Sequence, residues 1–197
     1  MPEFNPANSA IVAQTMRLIG RSPISSLGDE SEEAEAAREQ YPLAMQFCLE
    51  KTDWSFASTR RILSTLESDP FPDPDLPYLF GIPGDVVKIR EVGDASVKWR
   101  IDRDGLRANV TAPLYVRYTG EITDETKTPA AFQAAVSLRL AVVLGARWSV
   151  TEARMQELKD ELRNTLKEAS REDARSASEG RYDGLAEQGD WATEARL

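Results

Sequence analysis

The sequence predicts an α+β protein: mainly an α-helical bundle with an inserted antiparallel β-sheet and an extended C-terminal tail. Three observations predict it. Apolar residues recur at helical spacing toward both ends of the chain, they alternate in short runs across its middle, and they lose all period over residues 178–197. The expected division is a bundle from 1–53 and 128–177, a β insertion at 54–127, and a docking tail at 178–197. A chain of 197 residues is long enough to bury about 70% of its unfolded surface.

Ile11, Val12, Met16 and Ile19 give the first helix, over 8–19, with Asn8 or Ser9 as N-cap and Gly20 as its stop. A loop with Pro23 and Gly28 follows. The second helix opens in the acidic run Asp29, Glu30, Glu32, Glu33 and Glu35, where carboxylates suit the positive end of the helix dipole. Ala34, Ala37, Tyr41, Ala44, Met45, Cys48 and Leu49 continue it as one stripe, and Pro42 predicts either a kink or a split into two helices. The acidic run reads as a solvated helix face, a metal cluster being the alternative.

From Trp54 to Leu66 the helical period fades into a strand-like pattern. Pro70, Pro72, Pro74 and Pro77 then mark a stiff surface loop or a ligand for a proline-reading module. Across 78–119 four runs alternate: Val87, Ile89 and Glu91; Val97, Trp99 and Ile101; Leu106, Ala108 and Val110 after an Asp104-Gly105 turn; and Leu114, Val116 and Tyr118 after Pro113. Short consecutive strands with tight turns predict an antiparallel meander.

Thr128 is the expected cap of the next helix, with Pro129 in its first position and Phe132, Val136, Leu140, Val143 and Leu144 along it. Ser149 with Glu152 predicts a capping box for a last helix, which carries Leu158, Leu162, Leu166 and Ala169 on one face. The tail beyond it holds Tyr182, Leu185, Trp191, Arg196 and Leu197 among glycines and charges.

Composition narrows the function. There is no histidine, which removes Ser-His and Cys-His dyads and histidine metal ligands. A single cysteine, Cys48, excludes an intrachain disulfide and every multi-cysteine zinc pattern. No run reaches the roughly 18 apolar residues of a spanning helix, so no membrane association is expected. The first residues lack the basic and apolar regions of a signal peptide, predicting a chain that stays in the cytoplasm. With 24 Lys and Arg against 33 Asp and Glu, the net charge of −9 disfavours broad attraction to DNA. GIPGDVVK lacks the Gly-Lys-Ser/Thr ending of a phosphate loop, and Asp102, Asp104 and Gly105 echo a calcium loop without its closing glutamate. Arg60 and Arg61 form the only Arg pair. Carboxylates, lysines and tyrosines could still do chemistry, and a carboxylate-based enzyme stays open, but these patterns move the expectation toward a binding or structural protein without cofactor or metal.

Five motifs run in order along the chain. Leu18, Ile19 and Gly20 precede Pro23 and then Ser26, Leu27, Gly28 and Asp29; Trp54, Phe56 and Ala57 end the second helix. Tyr78 leads to Ile82, Pro83 and Asp85 and into a strand with Val86, Lys88, Ile89 and Val92. Tyr118, Ile122, Thr123 and Asp124 precede Pro129 and Phe132, and Gly189, Trp191, Ala195 and Arg196 close the chain. In this order the chain resembles the head-to-tail connector, or adaptor, family of tailed bacteriophages, the group that includes tail tubular protein A. The third motif departs from the family, reading Val-Val-Lys where Cys or Leu and then Arg is usual.

The resemblance implies a structural virion protein at the head-tail junction, assembled in the host cytoplasm, and no enzyme. It implies a ring, commonly dodecameric, under the portal, extending the DNA channel and presenting a face to the next tail component. The partners it implies are the portal protein, neighbouring copies, a downstream nozzle, stopper or tail terminator, and double-stranded DNA passing without specific binding. Twelve chains would carry on the order of −100 charges, which keeps a duplex from adhering to the wall; ordinary solubilising surface is the other reading of the acid. Tyr182, Leu185, Trp191, Arg196 and Leu197 are the expected docking arm, and Trp54, Phe56, Tyr78, Pro83 and Asp85 the expected structural junction. A small acidic regulator or DNA mimic that binds a basic protein is the alternative function.

Overall fold

A computed structural model describes residues 8–24, 30–66 and 72–178. These form a mixed α+β fold with four α-helices and two small antiparallel sheets. Helix α1 (Ala10–Leu18) starts at Ser9, whose hydroxyl accepts from the Val12 amide, so Ser9 and not Asn8 is the cap. It ends in a Schellman turn: Gly20 sits at φ +72°, its amide reaches the Arg17 carbonyl, and the Arg21 amide reaches that of Met16. Helix α2 (Glu32–Lys51) is capped by Ser31 and passes through Pro42 as one helix, so the chain does not split there. Pro42 lies on the exposed side of the helix.

Helix α3 (Ala130–Gly145) is the central element, touching α1, α2 and α4 (Glu152–Ser178). Its alanines and Gly145 allow these close approaches, and its larger apolar residues Phe132, Val136, Leu140 and Leu144 are buried. Where α1 crosses it, the Thr15 hydroxyl donates to the Ile11 and Ser137 carbonyls, which satisfies a fully buried polar group. Leu158, Leu162 and Ala169 of α4 complete this helical core.

Two of the predicted caps lie elsewhere. Pro129, not Thr128, is the N-cap of α3; the Thr128 hydroxyl instead donates to the Glu125 carbonyl and closes a 3₁₀ turn at Glu125–Lys127. The expected Ser149–Glu152 capping box is also absent. Ser149 is held at φ +54° by a turn in which the Val150 amide bonds the Gly145 carbonyl, and Thr151 accepts from the Arg154 amide. The turn that ends α3 thus takes Ser149, and the cap of α4 passes two residues along.

The strands are β1 (Ser58–Leu63), β2 (Tyr78–Phe80), β3 (Val86–Val92), β4 (Trp99–Asp102), β5 (Gly105–Ala108) and β6 (Leu114–Gly120). They do not form the expected meander. One sheet has the order β1-β6-β3 and the other β2-β5-β4, so only β4 and β5 are both consecutive and paired. Gly93, at φ +56°, and a turn fastened by Asp94 to Ser96 carry the chain out of the first sheet after β3. β6 then returns to lie between β1 and β3. The two sheets enclose a second core of Leu63, Phe80, Val92, Leu106, Leu114, Val116 and Tyr118. Shifts in the β3–β6 register break the simple alternation, so Val87 packs against the helical core while Ile89 packs against the sheet core. The strand-like reading of Trp54–Leu66 holds only from Ser58, because Ser55–Ala57 is a 3₁₀ turn.

The β4–β5 loop is Arg103-Asp104, with Gly105 already in β5. Gly105 is required there: at φ +151° an added Cβ would collide with the Phe80 carbonyl oxygen of β2. Gly105→Ala should therefore lower the unfolding free energy by about 1–3 kcal/mol, read from the urea midpoint. An unchanged midpoint would contradict the close β2–β5 approach. Among the described residues no helix is long and apolar enough to cross a membrane.

Candidate functional site

Of the residues expected at the structural junction, Trp54, Phe56, Pro83 and Asp85 lie where the helices meet the first sheet. The Trp54 ring is buried and meets Phe132 edge-on at 5.1 Å between centroids; Phe56 lies 5.0 Å from Phe132 and 5.7 Å from Trp54. The Trp54 indole N–H donates to the Cys48 carbonyl at 2.8 Å, so its one polar atom is satisfied in the core. Just beyond it, Asp173 of α4 accepts from the Ser55 amide at 2.8 Å and the Ser55 hydroxyl at 2.7 Å. The turn that leads into β1 is therefore fixed from both sides.

A second tie runs from the sheet back to α2. Arg90 of β3 donates through Nε to the Thr119 hydroxyl and through one terminal nitrogen to the carbonyls of Leu49, Glu50 and Thr52. A cation at a helix C-terminus meets the negative end of its dipole and its unpaired carbonyls together. Burial pulls the Arg90 pKa below its ordinary value, with Asp53, 3.9 Å away, opposing that shift. Arg117 of β6 continues the network, bonding Asp53 and Glu91 at 2.7 Å each. Its hydrogen bond is the main reason the Glu91 carboxyl lies below its usual range.

Asp85 stands at the entry to β3. It accepts from the Tyr118 hydroxyl at 3.0 Å and from Arg61 at 3.3 Å, while its carbonyl accepts from the Glu121 amide. Pro83 closes the turn before it, its carbonyl accepting from the Val86 amide. Tyr78, the first residue of β2, is half-exposed and belongs to the other sheet, so it is not brought to the junction with Asp85. A cleft of about 430 Å³ separates α2 from this entry, lined on one side by Tyr41, Met45 and Leu49 and on the other by Val86, Val87 and Ile122. At its edge, Glu125 accepts from the Tyr41 hydroxyl and from Ser9 and the Ala10 amide, tying α2 to the start of α1. Burial, and then Glu125, raise the Tyr41 pKa above its ordinary value.

The remaining candidates fall elsewhere. Asp102 pairs with Arg100 at 2.7 Å and Arg107 at 2.9 Å, which accounts for the residue that echoed a calcium loop. Among the described residues no group of three or more His, Cys, Asp or Glu side chains could hold a metal ion. Cys48 is buried, and burial pushes its thiol up to about 12, so it has little thiolate character. Pro72, Pro74 and Pro77 are exposed in a loop, and Pro70 lies outside the described residues. So do Ser26, Leu27, Gly28 and Asp29 of the first motif, and Tyr182, Leu185, Trp191, Arg196 and Leu197 of the expected docking arm.

Arg90, Asp173 and Glu125 were not singled out from sequence. Each bonds a residue at least 29 positions away, and no local spacing marks such a partner. Exposed large apolar residues include Leu43 on α2, Ile62 and Tyr115 on the first sheet, and Trp99 and Ile101 on β4. Compared with known proteins, the chain matches no family model and no curated relative.

Proposed function

We propose that the protein is a head-to-tail connector: a structural adaptor that forms a ring under a phage portal and joins the capsid to the tail. One observation carries the reading. The motifs that give the resemblance are far apart in sequence, yet their residues meet. Trp54 and Phe56 of the second motif pack on Phe132 of the fourth, and Asp85 of the third bonds Tyr118 of the fourth. The resemblance therefore falls on the side chains that join helices to sheet, which favours a shared architecture over a chance of composition. In this reading the helices form the bundle that stacks in the ring, the strands form the insertion, and residues 178–197 form the docking tail. The portal, neighbouring copies and a downstream tail component are its partners, duplex DNA passes through the ring without specific contact, and the site of action is the virion neck. No chemistry is assigned to it.

Trp191 is the anchor of the tail and Arg196 its planar donor fork. Ordering a segment without helical or strand period costs about 1–2 kcal/mol per residue, and one buried Trp returns only a few, so a single arm binds weakly and a ring of arms binds well. Deleting residues 180–197 should leave the circular dichroism of the subunit unchanged and abolish attachment to portal-bearing heads, scored by co-sedimentation. The paired variant Trp191→Ala with Arg196→Ala should lose attachment in the same way. Normal attachment of both would refute the arm, and failure of the intact chain to attach would refute the connector.

A further inference from the structure

The start of α1 is pinned at the mouth of the cleft between α2 and the entry to β3. Tyr41, which lines that cleft, and Ser9, the cap of α1, donate to the same oxygen of Glu125, at 3.0 and 2.7 Å. The Ala10 amide bonds the other oxygen at 2.8 Å. Thr123, two residues before Glu125, lines the cleft as well. Residues 1–7, which lie outside the described residues, join the fold here, at Asn8. By contrast, residues 25–29 join α1 to α2, 67–71 join β1 to β2, and the chain past Ser178 follows α4, whose Asp173 bonds the turn before β1.

Met45, Leu49, Val86, Val87 and Ile122 make most of the cleft wall apolar. Its volume of about 430 Å³ is enough to enclose an aromatic side chain. Phe4 is the one aromatic residue in 1–7. It stands five residues before Ser9, a reach of up to about 17 Å. Pro2 and Pro6 restrict the backbone on both sides of it, which lowers the entropy lost on docking. In an extended segment Glu3 and Asn5 point to the opposite side from Phe4. The Glu3 carboxylate then stays in water, away from Asp85 and Glu121 at the rim of the cleft.

We infer that residues 1–7 fold back over the cleft of their own chain, with the Phe4 ring seated between Met45 on α2 and Val87 and Ile122 opposite. A tether this short holds the ring at an effective concentration in the millimolar range, so a single side chain suffices to occupy the site. Seated there, it fastens the start of α1, the middle of α2 and the entry to β3 at one point, and it closes the cleft to other ligands. The contact lies within one chain and holds whatever that chain assembles with.

Photocrosslinking of the full chain tests the seat. With Phe4 replaced by the photoreactive p-benzoylphenylalanine, irradiation should give an adduct within one chain to residues 41–49, 86–87 or 121–123, located by mass spectrometry. Its yield should not change on dilution. Gly84 also lines the cleft, and a side chain there would meet nothing within 4 Å, so Gly84→Phe can crowd the site without disturbing the fold. That variant should cut the adduct severalfold with an unchanged circular dichroism spectrum. A second readout needs no change in the cleft. In the chain labelled at its methionine methyl groups, Phe4→Ala should move the Met45 resonance, by loss of the ring current, and leave Met155, which packs at the end of α3, in place. Adducts scattered over the surface, no adduct, or a Met45 resonance indifferent to Phe4→Ala would overturn the inference. Cleft adducts found only in covalent dimers would overturn it too, giving the cleft to the segment of a second copy.

Discussion

Replacing Arg90 with methionine should lower the unfolding free energy by about 2–4 kcal/mol. The side chain is 11% exposed and lies between two cores, holding the Thr119 hydroxyl and the carbonyls of Leu49, Glu50 and Thr52. Two effects oppose each other. Removing a partly buried cation recovers its desolvation, and methionine fills much of the same volume. Against this, three carbonyls at the end of α2 lose a charged donor at once, and an unsatisfied buried polar group costs about 1–3 kcal/mol. The Glu50 carbonyl keeps Lys88 as a donor, but the Leu49 and Thr52 carbonyls lose theirs together with the Thr119 hydroxyl, and these losses outweigh one desolvated cation. Arg90→Lys should recover less than half of it, because an ammonium cannot reach the threonine and all three carbonyls from one position. Urea denaturation of the three proteins decides the matter, and a loss below about 1 kcal/mol for the methionine variant would show that water replaces the guanidinium.

The contrast between Arg90 and its neighbours shows what the sequence could disclose. The helices were legible because each buries a stripe whose period depends only on local geometry. Leu158, Leu162, Leu166 and Ala169 needed no knowledge of their partners. Strand positions other than the short β2 were legible for the same reason, but their pairing was not. Whether β6 lies beside β5 or between β1 and β3 depends on where Gly93 sends the chain, and alternation reads the same either way. The register shifts in β3 hid a further fact: Val87 and Ile89 look like one face and serve two cores.

Caps failed for a related reason. Thr128 and Ser149 have suitable side chains at suitable spacings, but each had already been taken by the turn that ends the preceding element. A capping rule scores one helix end at a time, whereas these loops serve two ends. At the junction, Trp54 and Phe56 stood out because large aromatics are seldom left in water. The polar side chains that fasten the same junction did not. An arginine in a strand and an aspartate late in a charged helix look like ordinary surface until the carbonyls or amides they serve are placed beside them.

Replacing Trp54 with alanine should be the most damaging single change at the junction, at about 3–5 kcal/mol. The ring is 1% exposed and packs against Phe56, Phe132 and the end of α2 within the helical core, so truncating it opens a large cavity there. That loss is a large share of the roughly 5–15 kcal/mol that holds a domain folded. Trp54→Phe separates packing from hydrogen bonding. It retains most of the aromatic contact but leaves the Cys48 carbonyl without its donor, and should cost about 1–2 kcal/mol. A cycle pairing Trp54→Phe with Phe132→Leu should show a coupling of about 0.5–1.5 kcal/mol, the value of an edge-to-face aromatic pair beyond its buried area. If the two changes were simply additive, the edge-on ring contact would add nothing to the joint beyond the apolar area that the two rings bury.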